Sequence, residues 1–336
     1  MTDAANDPRR QAWSSYWAQG ALHSCTGSFD ARYSGAIGAF WDAVVAEIPA
    51  GSRVLDLATG NGALPLRLWE TLGATSGIRI DAVDLATLAP PWHDPGKHQA
   101  ITFHSGVAME RLPFADASFD LVASQFGLEY ARWPEALLEC IRVARGGARL
   151  AFVMHHAGSV LVSVGREELA NQEFLLATGG LLDAARGVLP WLARARAGGA
   201  GIPQDSRATE ARDAYNMAVG GVGQAIAASA VPDALVEARD WVHRLVGSVT
   251  PDDLPARTDA LAAYREAMAS AALRTREMLV HALDEGRVGQ AAAALEAACP
   301  GCHVRYEPLS QREGILAWGV VASIPRTSNK GPSDPA

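Results

Sequence analysis

The sequence has few cysteines, no long apolar run and no excess of basic residues, and each absence excludes a class of protein. Its 336 residues include only four cysteines, too few for a disulfide framework, so we expect a reducing compartment. No uninterrupted apolar run approaches the ~18 residues that a membrane span needs. The amino terminus, Met1 to Asp7, is polar and acidic and lacks the apolar core of a signal peptide. These features predict a cytoplasmic protein without a membrane-spanning segment.

The charge balance disfavours large anionic partners. Asp and Glu number 37 against 29 Lys and Arg, which gives a formal net charge of −8. A broad surface for nucleic acid or anionic membrane needs clustered Lys and Arg, so neither partner is expected. The composition, 49% hydrophobic and 20% charged, is that of a globular protein with a sizeable core, and the length suggests two domains.

β-like segments alternate with amphipathic stretches in the first half of the chain, and two more strand-like runs follow near the end. The predicted strands cover residues 53–58, 78–84, 100–104, 119–124, 148–154, 303–306 and 315–321. Alternation of strands and helices indicates βαβ units, a parallel sheet and ligand binding at the carboxyl ends of the strands. The last two runs are predicted to form a hairpin that is connected by Glu307 to Gly314.

A long helical segment separates the fifth and sixth predicted strands. Residues 158–298 are rich in Ala, Leu, Arg and Glu at helical spacing, and ordinary connections are only ~4–6 residues long. We therefore predict an inserted helical subdomain that covers the cleft as a lid and offers a substrate pocket or a homodimer contact. The core then comprises 1–157 and 299–324, with 1–45 as an amino-terminal helical cap and 325–336 as a disordered tail.

The sharpest motif is a glycine loop between Val54 and Pro65, where a buried strand runs through a turn into a helix. Gly60 and Gly62 lack a Cβ, so a ligand can approach the backbone closely. A dinucleotide fingerprint needs a third glycine where Pro65 stands, and Pro65 suits a first helical turn instead. This departure disfavours an NAD-dependent oxidoreductase without excluding it.

The loop resembles that of the class I S-adenosylmethionine-dependent methyltransferases, and most of all the ubiquinone/menaquinone-biosynthesis-like (type 11) branch. That branch has the pattern D-x-A-x-G-x-G, which Asp56, Ala58, Gly60 and Gly62 match. The agreement continues in chain order through Asp84, residues 110–120, residues 124–127 and residues 142–147, and it covers 53–156. The resemblance implies a Rossmann-like α/β fold, with a doubly wound, seven-stranded, mostly parallel sheet and a helical insertion between strands five and six.

The same resemblance implies S-adenosylmethionine as the cofactor. Asp84 would accept hydrogen bonds from the ribose hydroxyls, and Asp56 would organise the glycine turn and favour the cationic end of the cofactor. Where the family usually has an adenine-binding Asp, this chain has Ala108, so the backbone of Ala108 and Met109 would hold the adenine. The implied cofactor-binding residues are Asp56, Ala58, Gly60, Asn61, Gly62, Asp84, Leu85, Ala108, Met109, Glu110, Ser124, Gln125 and Phe126.

Candidate chemical groups follow the fourth and fifth strands. Methyl transfer from a sulfonium is an in-line displacement, which needs a general base only if the nucleophile must lose a proton. The candidate bases are His155 and His156, which directly follow strand five, and the alternative for each is a structural histidine with satisfied hydrogen bonds. The alternation of side chains predicts that one ring faces the cleft and the other the packing helices. Glu129 and Tyr130 are candidate substrate contacts, or alternatively a cap at the loop-to-helix junction.

Two further patterns favour structural interpretations. An aromatic stripe near the amino terminus either packs in the core, which we favour, or folds over the cofactor; it consists of Trp13, Tyr16, Trp17, His23, Phe29 and Tyr33. The sequence Cys299-Pro-Gly-Cys-His303 matches a haem-attachment pattern and half a zinc site, but its Pro-Gly pair favours a turn. No metal site is expected.

The leading hypothesis is S-adenosylmethionine-dependent methyl transfer to a small-molecule acceptor by in-line displacement. A catalytically silent S-adenosylmethionine-binding partner protein stays open because Ala108 replaces the usual acid. An NAD-dependent oxidoreductase and an RNA methyltransferase are further alternatives, disfavoured by the missing glycine and by the net charge of −8 respectively. The acceptor atom and the oligomeric state stay open, a homodimer included.

Overall fold

A computed structural model describes residues 7–24, 33–73, 76–198 and 205–326, and these ranges form ten helices and seven strands. The helices are α1 (Pro8–Trp17), α2 (Gly35–Val45), α3 (Ala63–Leu72), α4 (Glu135–Val143), α5 (Val160–Leu176), α6 (Leu181–Arg196), α7 (Ser206–Ala228), α8 (Asp233–Gly247), α9 (Leu254–His281) and α10 (Glu285–Ala298). The strands are β1 (Arg53–Leu57), β2 (Arg79–Asp84), β3 (Ile101–Ser105), β4 (Phe119–Gln125), β5 (Ala144–His155), β6 (His303–Gln311) and β7 (Gly314–Ser323). Phe29 and most of the predicted tail (residues 327–336) lie outside the described residues.

The strands form one sheet in the order β3-β2-β1-β4-β5-β7-β6. Strands β1 to β5 pair in parallel, and β7 runs antiparallel to both β5 and β6. The strand order reverses between β1 and β4, and ligands of doubly wound sheets bind outside the carboxyl ends of the strands at such a switch point. The predicted seven-stranded, doubly wound, mostly parallel sheet is confirmed.

Strand β1 illustrates why the central strands form. Val54, Leu55 and Leu57 are all fully buried, because parallel strands are covered on both faces and therefore need a continuous apolar run. Val54 packs in the layer that contains Trp41, whereas Leu55 and Leu57 pack in the layer that contains Phe119. The two layers fix β1 at the centre of the sheet, so the loop that follows it opens at the switch point.

The closing hairpin is longer than the sequence predicts. Strand β6 continues to Gln311, through most of the stretch from Glu307 to Gly314 that the sequence indicates as a connection. Pro308 lies within it opposite Trp318. A proline is tolerated there because β6 is an edge strand and its missing N–H leaves no ladder bond unmade.

The Cys-Pro-Gly-Cys sequence forms the predicted turn. The backbone N–H of Cys302 donates to the carbonyl of Cys299 over 2.9 Å, and Gly301 has a φ of +86°. Proline followed by a left-handed glycine is the pattern of a type II turn. Burial raises the pKa of the Cys302 thiol to about 11. Within the described ranges, no group of three or more His, Cys, Asp or Glu side chains could hold a metal ion.

The chain divides into two compact units, Met1–Val162 with Val280–Ala336, and Ser163–Leu279. The second unit has its own core, which includes Leu182, Val188 and Leu235, and within it Trp241 stacks on Tyr264 at 4.2 Å between ring centroids. None of the described helices combines the length and apolar character of a membrane span.

The helical unit is shorter than the predicted subdomain of 158–298. Helix α10 lies in the first unit, where Val288 and Leu295 are buried in the core of the sheet. Its alanine-rich sequence resembles that of the preceding helices, so composition alone does not separate it from them. The role of the helical unit as a lid stays a prediction.

Candidate functional site

A cleft opens where β1, β2 and β4 end, at the switch point of the sheet. The loops after these strands bring together residues that are far apart in the sequence. The predicted site residues that line the cleft are Ala58, Asp84, Leu85, Ala108, Met109, Glu110, Gln125, Phe126 and Tyr130. The topology therefore assembles most of the predicted cofactor site in one place.

The glycine loop bends sharply out of β1. Ala58, Gly60 and Gly62 have φ values of 51°, 53° and 76°, in the left-handed region that glycine tolerates best. A Cβ at Gly60 would lie 2.5 Å from the ring of Trp17, and a Cβ at Gly62 would lie 2.5 Å from Phe103. Both glycines are thus required by their backbone conformation and by aromatic rings that pack on the loop.

Asp84 ties the glycine loop to the end of β2. Its two carboxylate oxygens accept hydrogen bonds from the backbone N–H of Gly60 over 2.9 Å and of Ala86 over 2.8 Å. A carboxylate offers about four acceptor positions, so these two bonds leave acceptor capacity for further donors, of which the backbone of Leu85 is one. Burial raises the pKa of Asp84.

Asp56 lies behind the loop rather than in the cleft lining. It is 2% exposed, and burial, with a smaller contribution from the charge of Asp84, raises its pKa to about 7. Asp56 is therefore a buried group in contact with the loop interior, consistent with organising the turn.

The end of β4 contributes one scaffold residue and one unsatisfied donor. The hydroxyl of Ser124 donates to the carbonyl of Leu57 over 3.0 Å and accepts from the N–H of Leu128 over 3.1 Å, so it joins β1 to the turn after β4. The side-chain oxygen of Gln125 accepts a hydrogen bond from the indole of Trp41. Gln125 lines the cleft, and its Nε2 atom is buried and has no hydrogen-bond partner among the described residues.

Helix α1 lies over the cleft. Trp13 and Trp17 stack at 5.6 Å between ring centroids, and both line the cleft together with His23 and Tyr33. Four residues of the aromatic stripe thus form a wall of the cleft, in contrast to the core packing that the sequence favours, whereas Tyr16 is not among the residues that line it. Trp13 and Trp17 are four residues apart and therefore lie on one face of the helix, which is the sequence signal for this wall.

Asn61 fastens α1 to the glycine loop. Its fully buried Nδ2 atom donates to the carbonyl of Trp17 over 2.8 Å and to that of Ala21 over 2.7 Å. In the loop after β2, the backbone N–H of Thr87 donates to the hydroxyl of Ser14 in α1 over 3.0 Å. Asn61 therefore contacts α1, and the cofactor role predicted for it stays a prediction.

His155 and Glu129 form a buried pair next to the cleft. The Nδ1 atom of His155 lies 2.7 Å from Oε1 of Glu129, and the same oxygen accepts from the backbone N–H of His155 over 2.9 Å. The His155 ring stacks on Phe126 at 4.3 Å and meets Tyr130 edge-on at 6.0 Å between ring centroids. Phe126 and Tyr130 both line the cleft.

His156 points away from this group. Its ring lies 4.4 Å from that of Trp318, its Nδ1 atom accepts from the N–H of Gly158 over 2.9 Å, and burial lowers its pKa. The two neighbouring histidines thus face opposite sides, as the strand alternation predicts. The structure brings His155, Glu129 and Tyr130 together and leaves His156 out.

Basic residues that the sequence did not single out stand at the edge of the cleft. Arg9 and Arg10 of α1 line it, and Arg9 donates to the carbonyl of Tyr130 over 3.3 Å. The ring of His281 lies 5.2 Å from that of Tyr130. Nothing in the local sequence distinguishes these residues from solvated charges on a helix, and only the fold assembles them.

Comparison with known proteins agrees with this geometry. Residues 55–152 match the methyltransferase-domain family. The demethylmenaquinone methyltransferase of Deinococcus radiodurans is 35% identical over 102 residues, which are 30% of this chain and 42% of that protein. The ubiquinone/menaquinone biosynthesis C-methyltransferase UbiE of Pseudomonas aeruginosa is 30% identical over 139 residues, 38% of this chain and 54% of that protein. The chain spans about half the length of these relatives.

Two solved structures show partial similarity to this chain. A SAM-dependent methyltransferase from Aquifex aeolicus is 22% identical, and the alignment covers 35% of this chain and 65% of that one with a TM-score of 0.31. An S-adenosylmethionine-dependent methyltransferase from Mesorhizobium loti is 25% identical, with coverage of 37% and 56% and a TM-score of 0.30.

Proposed function

We propose that this chain, whose residues 55–152 belong to the class I S-adenosylmethionine-dependent methyltransferases of the ubiquinone/menaquinone type, transfers a methyl group from S-adenosylmethionine to a small-molecule acceptor. The observation that carries the proposal is the cleft at the switch point. There the glycine loop, the Asp84 carboxylate and the segment at Ala108 and Met109 lie together at the ends of the strands.

The residues of the cleft fit the cofactor. Asp84 has acceptor capacity left for a hydroxyl donor beyond its bonds to the backbone. Leu85, Ala108 and Met109 offer apolar contact for a planar base, and Gln125 Nε2 is a buried donor without a protein partner in the described part of the chain. Ala58 and Thr59 bring the start of the glycine loop to the cleft, whereas Gly60 and Gly62 are packed against Trp17 and Phe103.

The bound cofactor would supply an electrophilic methyl group on a sulfonium. The chain itself then has to align the acceptor, exclude water and keep both molecules in place, and alignment is the largest contribution to such a displacement. Trp13, Trp17, Phe126 and Tyr130 give the cleft aromatic walls suited to these tasks.

Three observations support a small-molecule acceptor. Helix α1 contributes Arg9, Arg10, Trp13 and Trp17 to the wall of the cleft. The net charge of −8 disfavours RNA. The relatives' names specify quinone biosynthesis, which concerns small molecules. Ala108, in place of the usual adenine-binding acid, favours one second candidate, a binding protein without turnover.

Calorimetry with S-adenosylhomocysteine tests the cofactor assignment. We expect a single binding site in the wild type. For Asp84→Asn we expect a dissociation constant that is roughly 10- to 100-fold larger, since one hydrogen-bonded charge is lost. Asp120→Asn is the matched control, because the Asp120 carboxylate accepts from the backbone N–H of Arg53 over 2.7 Å at the amino-terminal ends of the strands. Absence of binding in the wild type would overturn the proposal. Binding without transfer of a labelled methyl group to any acceptor in a small-molecule extract would favour the silent binding protein.

A further inference from the structure

The hydrogen bonds of the Glu129–His155 pair run in one direction, from donors of His155 to an acceptor of Glu129, which a purely structural pair does not need. The Glu129 side chain is completely buried, and both donors of His155 converge on its Oε1 atom. The other oxygen, Oε2, is buried without a hydrogen-bond partner in the part of the chain that the structure describes. A carboxylate in this position strongly favours a proton on Nδ1 of His155, because that proton is the donor to Oε1.

The opposite ring atom of His155 is then a proton acceptor. With the proton on Nδ1, the Nε2 atom carries a lone pair, and none of the described residues hydrogen-bonds to it. The side chain is 8% exposed, and its ring contacts Phe126, which lines the cleft. This is the arrangement of a base oriented by a carboxylate.

We infer that His155 is the general base that takes a proton from the methyl acceptor, and that Glu129 is a positioning residue that fixes the ring and its tautomer. The inference rests on the proposed function and deepens it, because an acceptor that needs a base carries a dissociable proton. The acceptor class is an aromatic hydroxyl compound, that is, a phenol.

The neighbouring side chains and the proton balance favour a phenol. Trp13, Phe126 and Tyr130 present aromatic rings on which a planar ring can pack. A phenol has a pKa of about 10, so an imidazole can take its proton far more readily than that of an aliphatic alcohol, whose pKa lies well above that of a phenol.

The acceptor O–H proton passes to Nε2 of His155 while the acceptor oxygen forms a bond to the methyl carbon. The methyl–sulfur bond breaks, and its electron pair stays on the sulfur, which becomes a neutral thioether. The imidazolium, stabilised by the Glu129 carboxylate, later releases the proton to water. Among the described titratable groups, Tyr130 meets the His155 ring edge-on, and Arg9 and His281 in turn contact Tyr130.

A binding experiment tests the base without turnover. 4-Nitrophenol, whose anion absorbs visible light, is titrated at several pH values into full-length protein saturated with S-adenosylhomocysteine. We expect the wild type to shift the ionisation of the bound phenol to lower pH, because His155 accepts its proton, and His155→Ala to abolish that shift. Unshifted ionisation of nitrophenol bound to the wild type would overturn the inference.

Turnover gives the second readout. With phenol as acceptor, His155→Ala is expected to lower kcat by about 100-fold or more near neutral pH, with an unchanged dissociation constant for S-adenosylhomocysteine. The loss should shrink at high pH and with nitrophenol, because both ionise the acceptor without help, and added imidazole should restore part of the rate. Glu129→Gln should lower kcat by at least about 10-fold through the wrong tautomer, with little change in KM.

His156→Asn is the matched control, because His156 contacts Trp318 on the other side of β5. It should keep the kcat and the pH profile of the wild type. If Glu129→Gln fails to fold, the His155→Ala rescue by imidazole decides alone. Failure of S-adenosylhomocysteine to bind the wild type would refute the proposed function. Two other outcomes would refute this inference only. One is intact binding with equal kcat in His155→Ala and the wild type, and the other is no turnover of any phenol while other acceptors are methylated.

Discussion

At the residue scale, Gly60 combines a strained backbone with a close contact. Its φ is +53°, and an added Cβ would lie 2.5 Å from Trp17. Gly51 has a φ of +78° with no atom within 4 Å of such a Cβ. We expect Gly51→Ala to lower the free energy of unfolding by about 1–2 kcal/mol from backbone strain alone, and Gly60→Ala to lower it further and weaken S-adenosylhomocysteine binding.

Denaturation and calorimetry on both variants separate the two effects. Subtracting the Gly51→Ala change from the Gly60→Ala change leaves the contribution of the contact with Trp17. Equal losses of stability in the two variants, with equal affinity for S-adenosylhomocysteine, would contradict a role for the contact between Gly60 and Trp17.

Asp56 makes the stability of the ligand-free protein depend on pH. Burial raises its pKa from the usual 3.8 to about 7, so the folded state holds a proton that the unfolded state has already lost. Asp56 should therefore make the free energy of unfolding fall as the pH rises from about 4 to about 7, by roughly 4 kcal/mol at most, and Asp84, whose pKa burial also raises, should add to the fall. Urea denaturation should give a smaller fall for Asp56→Asn; a slope identical to that of the wild type would contradict the assignment.

At the element scale, α1 depends on one buried amide. Asn61 donates to the carbonyl of Trp17, at the end of α1, and to that of Ala21, just beyond it. The loss of the Asn61 side chain would leave both carbonyls without that donor. We expect Asn61→Ala to speed hydrogen exchange of the α1 amides by about 10-fold or more and to increase the dissociation rate of S-adenosylhomocysteine, because the wall that carries Trp17 loosens.

Asn171→Ala is the chemical match for this test. Asn171 donates to the Ser229 hydroxyl over 3.0 Å and to the Val231 carbonyl over 2.9 Å, within the helical unit. It should speed exchange near its own contacts and leave α1 protected. Unchanged exchange of α1 in Asn61→Ala would show that the aromatic packing of Trp13 and Trp17 suffices to hold the helix.

The elements also show what the sequence can and cannot predict. Strand β1 and the glycine loop follow from an apolar run that ends in glycines, since these signals are local. Helix α10 and the extension of β6 through Pro308 do not, because the first depends on what the helix packs against and the second on the edge position of the strand. The side of the strand on which the His155 side chain lies follows from strand alternation, whereas the pairing of His155 with Glu129 is set by tertiary structure.

At the scale of the whole molecule, the two compact units should unfold as separate cooperative units. Leu235 is fully buried in the core of the helical unit, and Leu55 is fully buried in the sheet. Truncation of a buried leucine to alanine costs about 2–5 kcal/mol of the unit that contains it. A chain with two cores need not follow two-state unfolding, so the cost should appear in one transition only.

Hydrogen exchange with and without S-adenosylhomocysteine assigns each transition. Leu235→Ala should lower protection of α6 and α8 and leave the affinity for S-adenosylhomocysteine unchanged, because the cleft residues belong to the other unit. Leu55→Ala should lower protection of the sheet and weaken binding, and the ligand should raise only the transition of that unit, since it binds only when that unit is folded. Loss of protection throughout the chain in Leu235→Ala would mean instead that the two units unfold as one.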